Sequence, residues 1–247
     1  VHLYGESLKR LKVRYPSKSE QEKISSLLSM LDERIEAQSR IIEEWKSYRN
    51  TLMFHLFHPH EGWQKFCIGD IADVVGGGTP DTNVKDYWDG NIQWFTPTEI
   101  GFQKYVNASI RTITKDGLEN SSTKLLPPNT ILLSTRATIG ECSIAKRECC
   151  TNQGFQSLIP QTVGHEFLYY LIQTKKRDLL AKSCGSTFAE ISANEVRKIQ
   201  VYIPSTRKEQ DAISIPLSLC DEITNTEIKR LNCYKLQKQY LLQKMFI

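Results

Sequence analysis

One stretch of sequence near the start of the chain is repeated near its end. When residues 16–57 are shifted by 189 positions, eleven of them are identical to their counterparts in 205–246. The identical residues are Glu20, Gln21, Ile24, Ser25, Leu28, Ser29, Asp32, Glu33, Lys46, Leu52 and Phe57. Solenoid repeats recur every ~20–50 residues, so a separation of 189 residues excludes a solenoid. The repeat predicts two equivalent helices that enclose one globular domain.

Both copies place apolar residues along a narrow seam with alternating spacings of four and three residues. In the first copy the apolar seam residues are Ile24, Leu28, Leu31, Ile35, Ile42, Trp45, Leu52 and Leu56. In the second copy they are Ile213, Leu217, Cys220, Leu231, Tyr234, Leu241 and Met245. The polar residues Gln38 and Arg49 interrupt the first seam where Glu227 and Lys238 interrupt the second. A period of about 3.5 residues favours a coiled coil, although an ordinary amphipathic bundle helix shares much of this pattern.

The length of the two copies suggests that they act as spacers. A helix of ~40 residues is about 60 Å long, which exceeds the diameter of a small domain. The second copy departs from the first at Pro216, where the first has Leu27. Because proline lacks an amide hydrogen and clashes with the preceding turn, we expect the second long helix to start or kink there.

Composition narrows the class of protein. No run of 18 apolar residues occurs and no charged-then-apolar segment begins the sequence, so we expect neither a membrane span nor a secretory signal. The seven cysteines form no C-x-x-C pair, which favours reduced thiols in the cytoplasm. His55, His58 and His60 lie close together, and we interpret them as an exposed helix end rather than a metal site.

The charge balance gives little support for nucleic-acid binding. The whole chain has a formal net charge of +4, and residues 62–203 carry 15 basic and 14 acidic side chains. Binding to DNA would therefore require a local arrangement of polar and basic side chains, because bulk charge does not supply it.

The region between the two copies has the pattern of a mixed domain in which strands predominate. Short apolar runs bounded by Asp, Asn, Gly and Pro predict strands, and they lie at 92–95, 130–133, 143–145 and 157–159. Helical spacing extends over 165–182, and Ser192 with Glu195 fits a capping box ahead of a last strand at 199–203. The predicted fold class is α+β.

Motifs of catalysis are missing from the sequence. The glycines at 76–78 resemble a phosphate-binding loop, but the Gly-Lys-Ser/Thr ending is absent and no helical pattern follows. Neither H-E-x-x-H nor G-x-S-x-G occurs, nor does the Asn/Asp-Pro-Pro-Tyr/Phe pattern of methyl transfer. Together with the spacer architecture, this favours a binding module over an enzyme.

Several turns carry side chains suited to DNA. Arginine pairs with guanine edges and Asn or Gln with adenine edges, whereas Ser, Thr and Lys suit phosphates. The candidates are Thr79, Lys85, Gln93, Thr96, Arg136, Thr138, Asn152, Gln153, Ser186 and Thr187. Taken singly, each also fits ordinary turn chemistry, and we interpret Trp88 and Trp94 as core residues.

The ordered set of motifs resembles the specificity subunit of type I restriction–modification systems. The resemblance rests on Gly62-Trp63, Ile68-Gly69-Asp70-Ile71, Gly77-Gly78-Thr79-Pro80, Tyr87-Trp88, Ile92-Gln93-Trp94, Leu132-Leu133-Ser134-Thr135-Arg136, Thr138-Ile139-Gly140, Thr151-Asn152-Gln153, Ile203-Pro204-Ser205 and Glu209-Gln210. These motifs span nearly the whole chain, and their order is more specific than any one of them.

The resemblance implies a fold and a function. In that family, mixed α/β target recognition domains alternate with long helices that pair as an antiparallel coiled coil and set the distance between two half-sites in double-stranded DNA. The subunit itself is not catalytic and binds no cofactor. It docks methylation subunits, which hold S-adenosylmethionine, and restriction subunits, which use ATP and Mg²⁺.

This chain departs from the family order of domain, helix, domain, helix. We assign 1–15 as a strand-like remnant of a preceding recognition domain and 16–57 as the first long helix. The remaining assignments are a linker at 58–61, a recognition domain at 62–205 and a second long helix at 206–247. One recognition domain is expected to read one half of a bipartite site. Two arrangements remain open, an intramolecular hairpin and a homodimer through the helices, as does an alternative in which the chain is a protein-interaction scaffold or an inactive truncated subunit.

Overall fold

A computed structural model describes residues 15–183 and 190–245. By its internal contacts the chain divides into two compact units. The helical unit comprises Val1–Ser47 and Ile223–Ile247, and the mixed unit comprises Tyr48–Glu222. The division falls inside both long helices, so each helix contributes one part to each unit. The predicted strand-like remnant at 1–15 lies outside the described residues except for Tyr15.

The two long helices have the same length and the same start. Helix α1 is Lys18–Leu56 and helix α7 is Arg207–Met245, with 39 residues each. At the start of α1, Ser17 N donates to Glu20 Oε2 at 2.9 Å, and Glu20 N donates to Ser17 Oγ at 3.4 Å. Thr206 and Glu209 make the same reciprocal pair before α7, both bonds being 3.2 Å long. A capping box therefore begins each copy, because it satisfies amide groups that the first turn leaves without partners.

The expectation that the second long helix starts at Pro216 is wrong. Helix α7 begins nine residues earlier, at Arg207, and continues through Pro216. A proline inside a helix costs about 3 kcal/mol. Ile213 and Leu217, on either side of it, are buried in the core of the mixed unit, and burial of such side chains contributes about 1.5–3 kcal/mol each. Packing on both sides of the proline thus offsets its cost.

In the helical unit the two helical segments are antiparallel. Lys238 Nζ donates to Asp32 Oδ1, and Gln38 Nε2 donates to Glu227 Oε2 at 2.5 Å. Residue numbers rise along one segment as they fall along the other. The guanidinium of Arg34 lies 5.1 Å from the centroid of the Tyr234 ring, which adds a cation–π contact between the segments. These pairs fix the direction and the register of the helices.

The described residues of the mixed unit form ten strands in three sheets. Five strands form the main sheet in the order β2-β9-β6-β7-β4, three form a second sheet in the order β5-β3-β8, and β1 pairs with β10. The strands are β1 Gln64–Cys67, β2 Ala72–Gly76, β3 Trp88–Phe95, β4 Tyr105–Val106, β5 Arg111–Ile113, β6 Ile131–Leu133, β7 Cys142–Ala145, β8 Cys149–Thr151, β9 Gln156–Pro160 and β10 Gln200–Ile203. The four apolar runs in the sequence correspond to β3, β6, β7 and β9.

Five shorter α-helices are found in the part of the mixed unit that the structure describes. They are α2 Ile68–Ile71, α3 Lys115–Glu119, α4 His165–Thr174, α5 Lys176–Ala181 and α6 Ala193–Arg197. The helical spacing over 165–182 corresponds to two consecutive helices, because Lys175 leaves helical geometry at φ −95° and ψ 8° and separates α4 from α5. Ile172 and Leu179 nevertheless lie fully buried in the same core. Ser192 caps α6 by accepting from Glu195 N at 3.3 Å, as the capping box predicts.

The largest hydrophobic core joins the main sheet to the helices of the mixed unit. It contains β6, β7, α4 and the first turns of α7, and Leu52 and Leu56 of α1 pack against it. A second hydrophobic core contains Phe95 and Phe155, and a third contains Trp88 and Trp94. Both tryptophans are therefore core residues. No helix in the described parts of the chain is long and apolar enough to cross a membrane.

Candidate nucleic-acid interface

Four strands of the mixed unit end at a common edge. Strands β3 and β8 are parallel and place Phe95 opposite Thr151, so the residues that follow them, Thr96 and Asn152, leave the sheet side by side. Strand β2 ends at Gly76, opposite Gln156 at the start of β9, and the residue after β6 forms a bridge to Phe155. We call the loops at this edge, residues 77–80, 96–99, 134–138 and 152–154, the loop cluster.

Thr79 and Gln153 meet across the loop cluster. The Thr79 hydroxyl donates to Gln153 Oε1 at 2.5 Å. The glycines before Thr79 permit this approach, since a Cβ on Gly77 would lie 2.0 Å from the carbonyl oxygen of Asn152. Gly78 N donates to the Thr151 carbonyl at 2.9 Å. The backbone of the glycine run thus packs directly against the backbone of Thr151 and Asn152, which occupies the space where side chains would lie.

Gly154 joins three of the loops. Its amide donates to Asn152 Oδ1 at 2.9 Å, and its carbonyl accepts from Thr135 N at 2.8 Å. A Cβ on Gly154 would lie 2.9 Å from Pro97 Cγ. The oxygen of the Asn152 side chain therefore holds its own turn, and the donors of that side chain are on its amide nitrogen.

Arg136 lies at the exposed side of the loop cluster. Its Nη2 contacts Glu190 Oε2 at 2.5 Å, and the two side chains are 44% and 37% exposed. A half-exposed ion pair of this kind contributes about 0–1 kcal/mol, so breaking it costs little. The turn after Arg136 is held by the Thr138 hydroxyl, which donates to Ser134 Oγ at 3.1 Å.

Thr96 begins a short capping box. Its amide and its hydroxyl both donate to Glu99 Oε2, at 2.8 and 2.6 Å. The residue is half-buried and fixes the turn at 97–99. Sequence reasoning missed Glu99, although Thr-x-x-Glu is a recognisable signature of a helical turn. It also missed Glu190 beside Arg136, which no local pattern predicts.

Two other predicted DNA-binding residues that the structure describes have different surroundings. Gln93 is only 9% exposed, and its side-chain oxygen accepts from Ser109 N at 2.7 Å. It therefore holds a loop to β3 and does not face solvent, which corrects its assignment as a base-reading residue. Lys85 is exposed on a 3₁₀ turn before β3 and belongs to none of the four loops of the loop cluster. Ser186 and Thr187 lie outside the described residues.

Two thiols of β8, those of Cys149 and Cys150, are fully buried. Burial raises the pKa of Cys149 to about 12 and that of Cys150 to about 11. Both side chains therefore stay protonated near neutral pH, and the thiolate is the reactive form. In the described parts of the chain no group of three His, Cys, Asp or Glu residues is arranged to hold a metal ion.

A set of hydrogen-bonded polar side chains, separate from the loop cluster, joins α1, α4 and α7 inside the mixed unit. Arg49 Nε donates to Asp221 Oδ1 at 2.5 Å, and Tyr170 donates its hydroxyl hydrogen to Asp221 Oδ2 at 2.6 Å. Arg49 Nη2 also donates to Gln173 Oε1 at 2.8 Å. Burial, followed by the charge of Asp221, raises the pKa of Tyr170. Its hydroxyl therefore stays protonated and remains a donor.

Glu166 is the centre of a neighbouring hydrogen-bond network. Lys104 Nζ lies 2.9 Å from Glu166 Oε1, and Ser218 Oγ donates to Glu166 Oε2 at 2.8 Å. The Tyr105 hydroxyl also donates to this carboxylate. Burial alone would raise the pKa of Glu166, but the hydrogen bonds from Tyr105, Lys104 and Ser218 outweigh it and lower the pKa.

The predicted seam residues face the interior of their units. In the helical unit Leu31, Gln38 and Ile42 are buried, and Ile24, Leu28, Ile35 and Trp45 are half-buried. Leu231, Tyr234, Leu241 and Met245 are half-buried there as well. In the mixed unit Ile213 and Leu217 are buried, and Leu52 and Leu56 are half-buried.

Comparison with known proteins agrees with this geometry. Residues 60–233 match the family described as the type I restriction modification DNA specificity domain. The chain belongs to this family. The MjaIX specificity subunit of Methanocaldococcus jannaschii is 39% identical to the specificity domain over 173 residues, covering 68% of this chain and 40% of that protein. The EcoR124I/EcoR124II specificity subunit of Escherichia coli is 28% identical over 208 residues, covering 80% and 50%.

Solved structures share the fold of this specificity domain. The S subunit from M. genitalium aligns with a TM-score of 0.67 at 18% identity, covering 99% of this chain and 66% of that one. The HsdS subunit from Thermoanaerobacter tengcongensis aligns with a TM-score of 0.63 at 17% identity, covering 91% and 56%. The chain thus spans about half the length or less of the first curated relatives that it matches.

Proposed function

We propose that the mixed unit recognises one half of a bipartite sequence in double-stranded DNA, within a type I restriction–modification complex. The observation that carries the proposal is the loop cluster. Six of the predicted DNA-binding residues come together there on short, internally bonded turns, namely Thr79, Thr96, Arg136, Thr138, Asn152 and Gln153. Arginine, asparagine and glutamine are the residues that read base edges in the major groove.

The nearly equal numbers of basic and acidic side chains in the domain agree with DNA recognition by precisely placed side chains rather than by overall charge. Phosphate contacts supply affinity without sequence information, whereas base contacts supply specificity. A domain with 15 basic and 14 acidic side chains at 62–203 has little bulk attraction for DNA. We therefore expect the chain to bind DNA weakly when alone and tightly when partner subunits add basic surface. The same neutrality would suit the alternative of a protein-interaction scaffold, and a steep loss of binding with added salt separates DNA binding from it.

We further propose that the chain is not catalytic and holds no cofactor. The glycine run at 76–78, the one segment that resembles a phosphate loop, is packed against β8: a Cβ on Gly77 would lie within 2.5 Å of Thr151 O. S-adenosylmethionine, ATP and Mg²⁺ then belong to the methylation and restriction subunits, which dock on the helices in the cytoplasm. Exposed apolar side chains in the helical unit suit such docking, and they include Met30, Leu236 and Tyr240 at 57%, 64% and 59% exposure.

The repeat supports a second recognition domain at the helical unit. Ile213 and Leu217 of the second copy are buried by the domain of this chain. Their counterparts Ile24 and Leu28 in the first copy are only half-buried. We propose that an equivalent domain covers those positions, supplied in a homodimer by a second copy of this chain. Light scattering tests the homodimer: a species of twice 28.4 kDa is expected, and a constant monomer mass at all concentrations would contradict it.

Selection from random DNA tests the recognition itself. The chain, assembled with the methylation subunits of its own system, is incubated with a random duplex library, and the retained DNA is sequenced. The expected result is one defined half-site, or two in inverted order if the chain is a homodimer. An Arg136→Ala complex should retain a library with one position relaxed. Retention of DNA without any common sequence would contradict the proposal.

A further inference from the structure

One strongly exposed hydrophobic side chain lies beside the loop cluster. Ile110 is 86% exposed and lies in the loop that joins β4 to β5. Single exposed apolar residues are common on protein surfaces and need no explanation by themselves. Ile110 differs from such residues because side-chain hydrogen bonds fix its backbone, and one of them comes from the 96–99 loop of the loop cluster.

Buried and half-buried side chains fix the backbone around Ile110. The Ile110 amide donates to Glu99 Oε1 at 2.6 Å, and the preceding Ser109 amide donates to Gln93 Oε1 at 2.7 Å. Ser109 Oγ in turn accepts from Trp94 N at 2.9 Å. Two consecutive amides are thus bound by side chains of β3 and of the turn after it. A side chain presented on a fixed backbone loses less conformational freedom on binding.

The same carboxylate that holds Ile110 also holds the loop cluster. Glu99 Oε1 accepts from the Ile110 amide, and Glu99 Oε2 accepts from the amide and hydroxyl of Thr96. Pro97, which follows Thr96, lies against Gly154: a Cβ added to Gly154 would be 2.9 Å from Pro97 Cγ. Ile110 is therefore attached, through one side chain, to the loops that carry Thr96 and Gln153.

The chemistry of this surface matches that of the major groove. Base edges there present hydrogen-bond donors and acceptors, and the 5-methyl group of thymine is the apolar group among them. The loop cluster presents polar side chains, and Ile110 is a strongly exposed apolar residue whose backbone is hydrogen-bonded to it. Resting on the proposed function, we infer that Ile110 is a specificity-determining residue that contacts the 5-methyl group of a thymine in the recognised half-site.

The test compares thymine with deoxyuridine, which lacks only that methyl group. The half-site obtained by selection is synthesised with each thymine replaced in turn, and binding to the full complex is measured. One replacement should weaken binding about three- to fivefold, the effect expected for one methyl group removed from an apolar contact. For Ile110→Ala, binding to the thymine site should fall by at least as much, and the preference for thymine at that position should disappear.

Two further variants keep the result interpretable. Ile215→Ala removes the same kind of side chain from an exposed position in α7, where Ile215 is 63% exposed, and it should leave the thymine-to-deoxyuridine ratio unchanged. Ile110→Val keeps the branched carbon and should keep most of the preference. Because Ile110 is exposed, its replacement should not change the urea midpoint of the chain.

Three outcomes would overturn the inference. The inference is wrong, and the proposed function stays intact, if an Ile110→Ala complex still distinguishes thymine from deoxyuridine at every position where the wild type does. The inference is also wrong if the wild-type complex is insensitive to every replacement. In that case, DNA that is bent by the wild-type complex and not by the Ile110→Ala complex would indicate that Ile110 is an apolar wedge between bases. If no half-site is selected at all, both the inference and the proposed function fail.

Discussion

Replacing Asp221 by alanine should destabilise the mixed unit far more than replacing its repeat counterpart Asp32 destabilises the helical unit. Asp221 pairs with Arg49, and the two side chains are 17% and 14% exposed. Removing one partner of a buried ion pair costs about 3–5 kcal/mol. Gln173 still bonds the arginine at 2.8 Å, so we expect a loss of about 2–4 kcal/mol from the free energy of unfolding.

The repeat supplies the matched control. Under the 189-residue shift Asp221 corresponds to Asp32 and Arg49 to Lys238, and these two residues form an ion pair in the helical unit. The Asp32 side chain is 55% exposed and that of Lys238 is 28% exposed. A pair of this kind contributes about 0–1 kcal/mol. Asp32→Ala therefore makes the same chemical change at the same repeat position with a different expected cost.

Urea unfolding measures both effects. Three of the four tryptophans, Trp63, Trp88 and Trp94, belong to the mixed unit, so their fluorescence reports its unfolding, while circular dichroism follows the long helices. Asp221→Asn, which keeps the side-chain shape, should lose less than Asp221→Ala. Equal losses for Asp221→Ala and Asp32→Ala, or the larger loss for Asp32→Ala, would refute the reasoning from burial.

Three further predictions concern the loops and the hydrogen-bond networks. Arg136→Ala should weaken binding to the selected DNA by about 1–3 kcal/mol if the guanidinium reads a base, and an equal loss on random DNA in the same binding assay would make it a phosphate contact. Gly77→Ala should prevent normal folding, because its Cβ would lie 2.0 Å from a backbone oxygen, whereas Gly76→Ala meets its first atom at 3.5 Å and should melt like the wild type. Because the pKa of Glu166 is lowered in the folded chain, its contribution to stability is present above the unfolded-state pKa of about 4.3 and is lost as the pH falls through the folded-state pKa. The urea midpoint of Glu166→Gln should accordingly fall less on acidification than that of the wild type.

Much of the architecture follows from local sequence patterns. The repeat locates both long helices, because a seam of constant period and a capping box are local signals. The apolar runs locate β3, β6, β7 and β9 for the same reason. Strand β4 has only two residues and β5 has one apolar residue among its three, so neither forms a recognisable apolar run, and their pairing depends on strands far away in the chain. Pro216 shows the limit of local rules, since the packing of Ile213 and Leu217 decides whether a helix continues.

The candidate site was predictable in its residue types and only partly in its geometry. Turn residues after strands are expected at the sheet edge, and Thr79, Arg136 and Gln153 are brought together there. Gln93 has the right chemistry but is buried, because β3 is the central strand of its sheet and residues 93–95 are all covered. The pairing of Arg136 with Glu190 joins residues 54 positions apart, and no local signal predicts such a contact.

Sequencing of methylated DNA tests the central claim most directly. Cells that carry this chain together with the methylation subunit of its system are compared with cells that carry the methylation subunit alone. The account predicts a methylated split motif that appears only with the chain, inverted and symmetric if two copies pair, and relaxed at one position in an Arg136→Ala strain. The same methylation pattern with and without the chain would contradict the account.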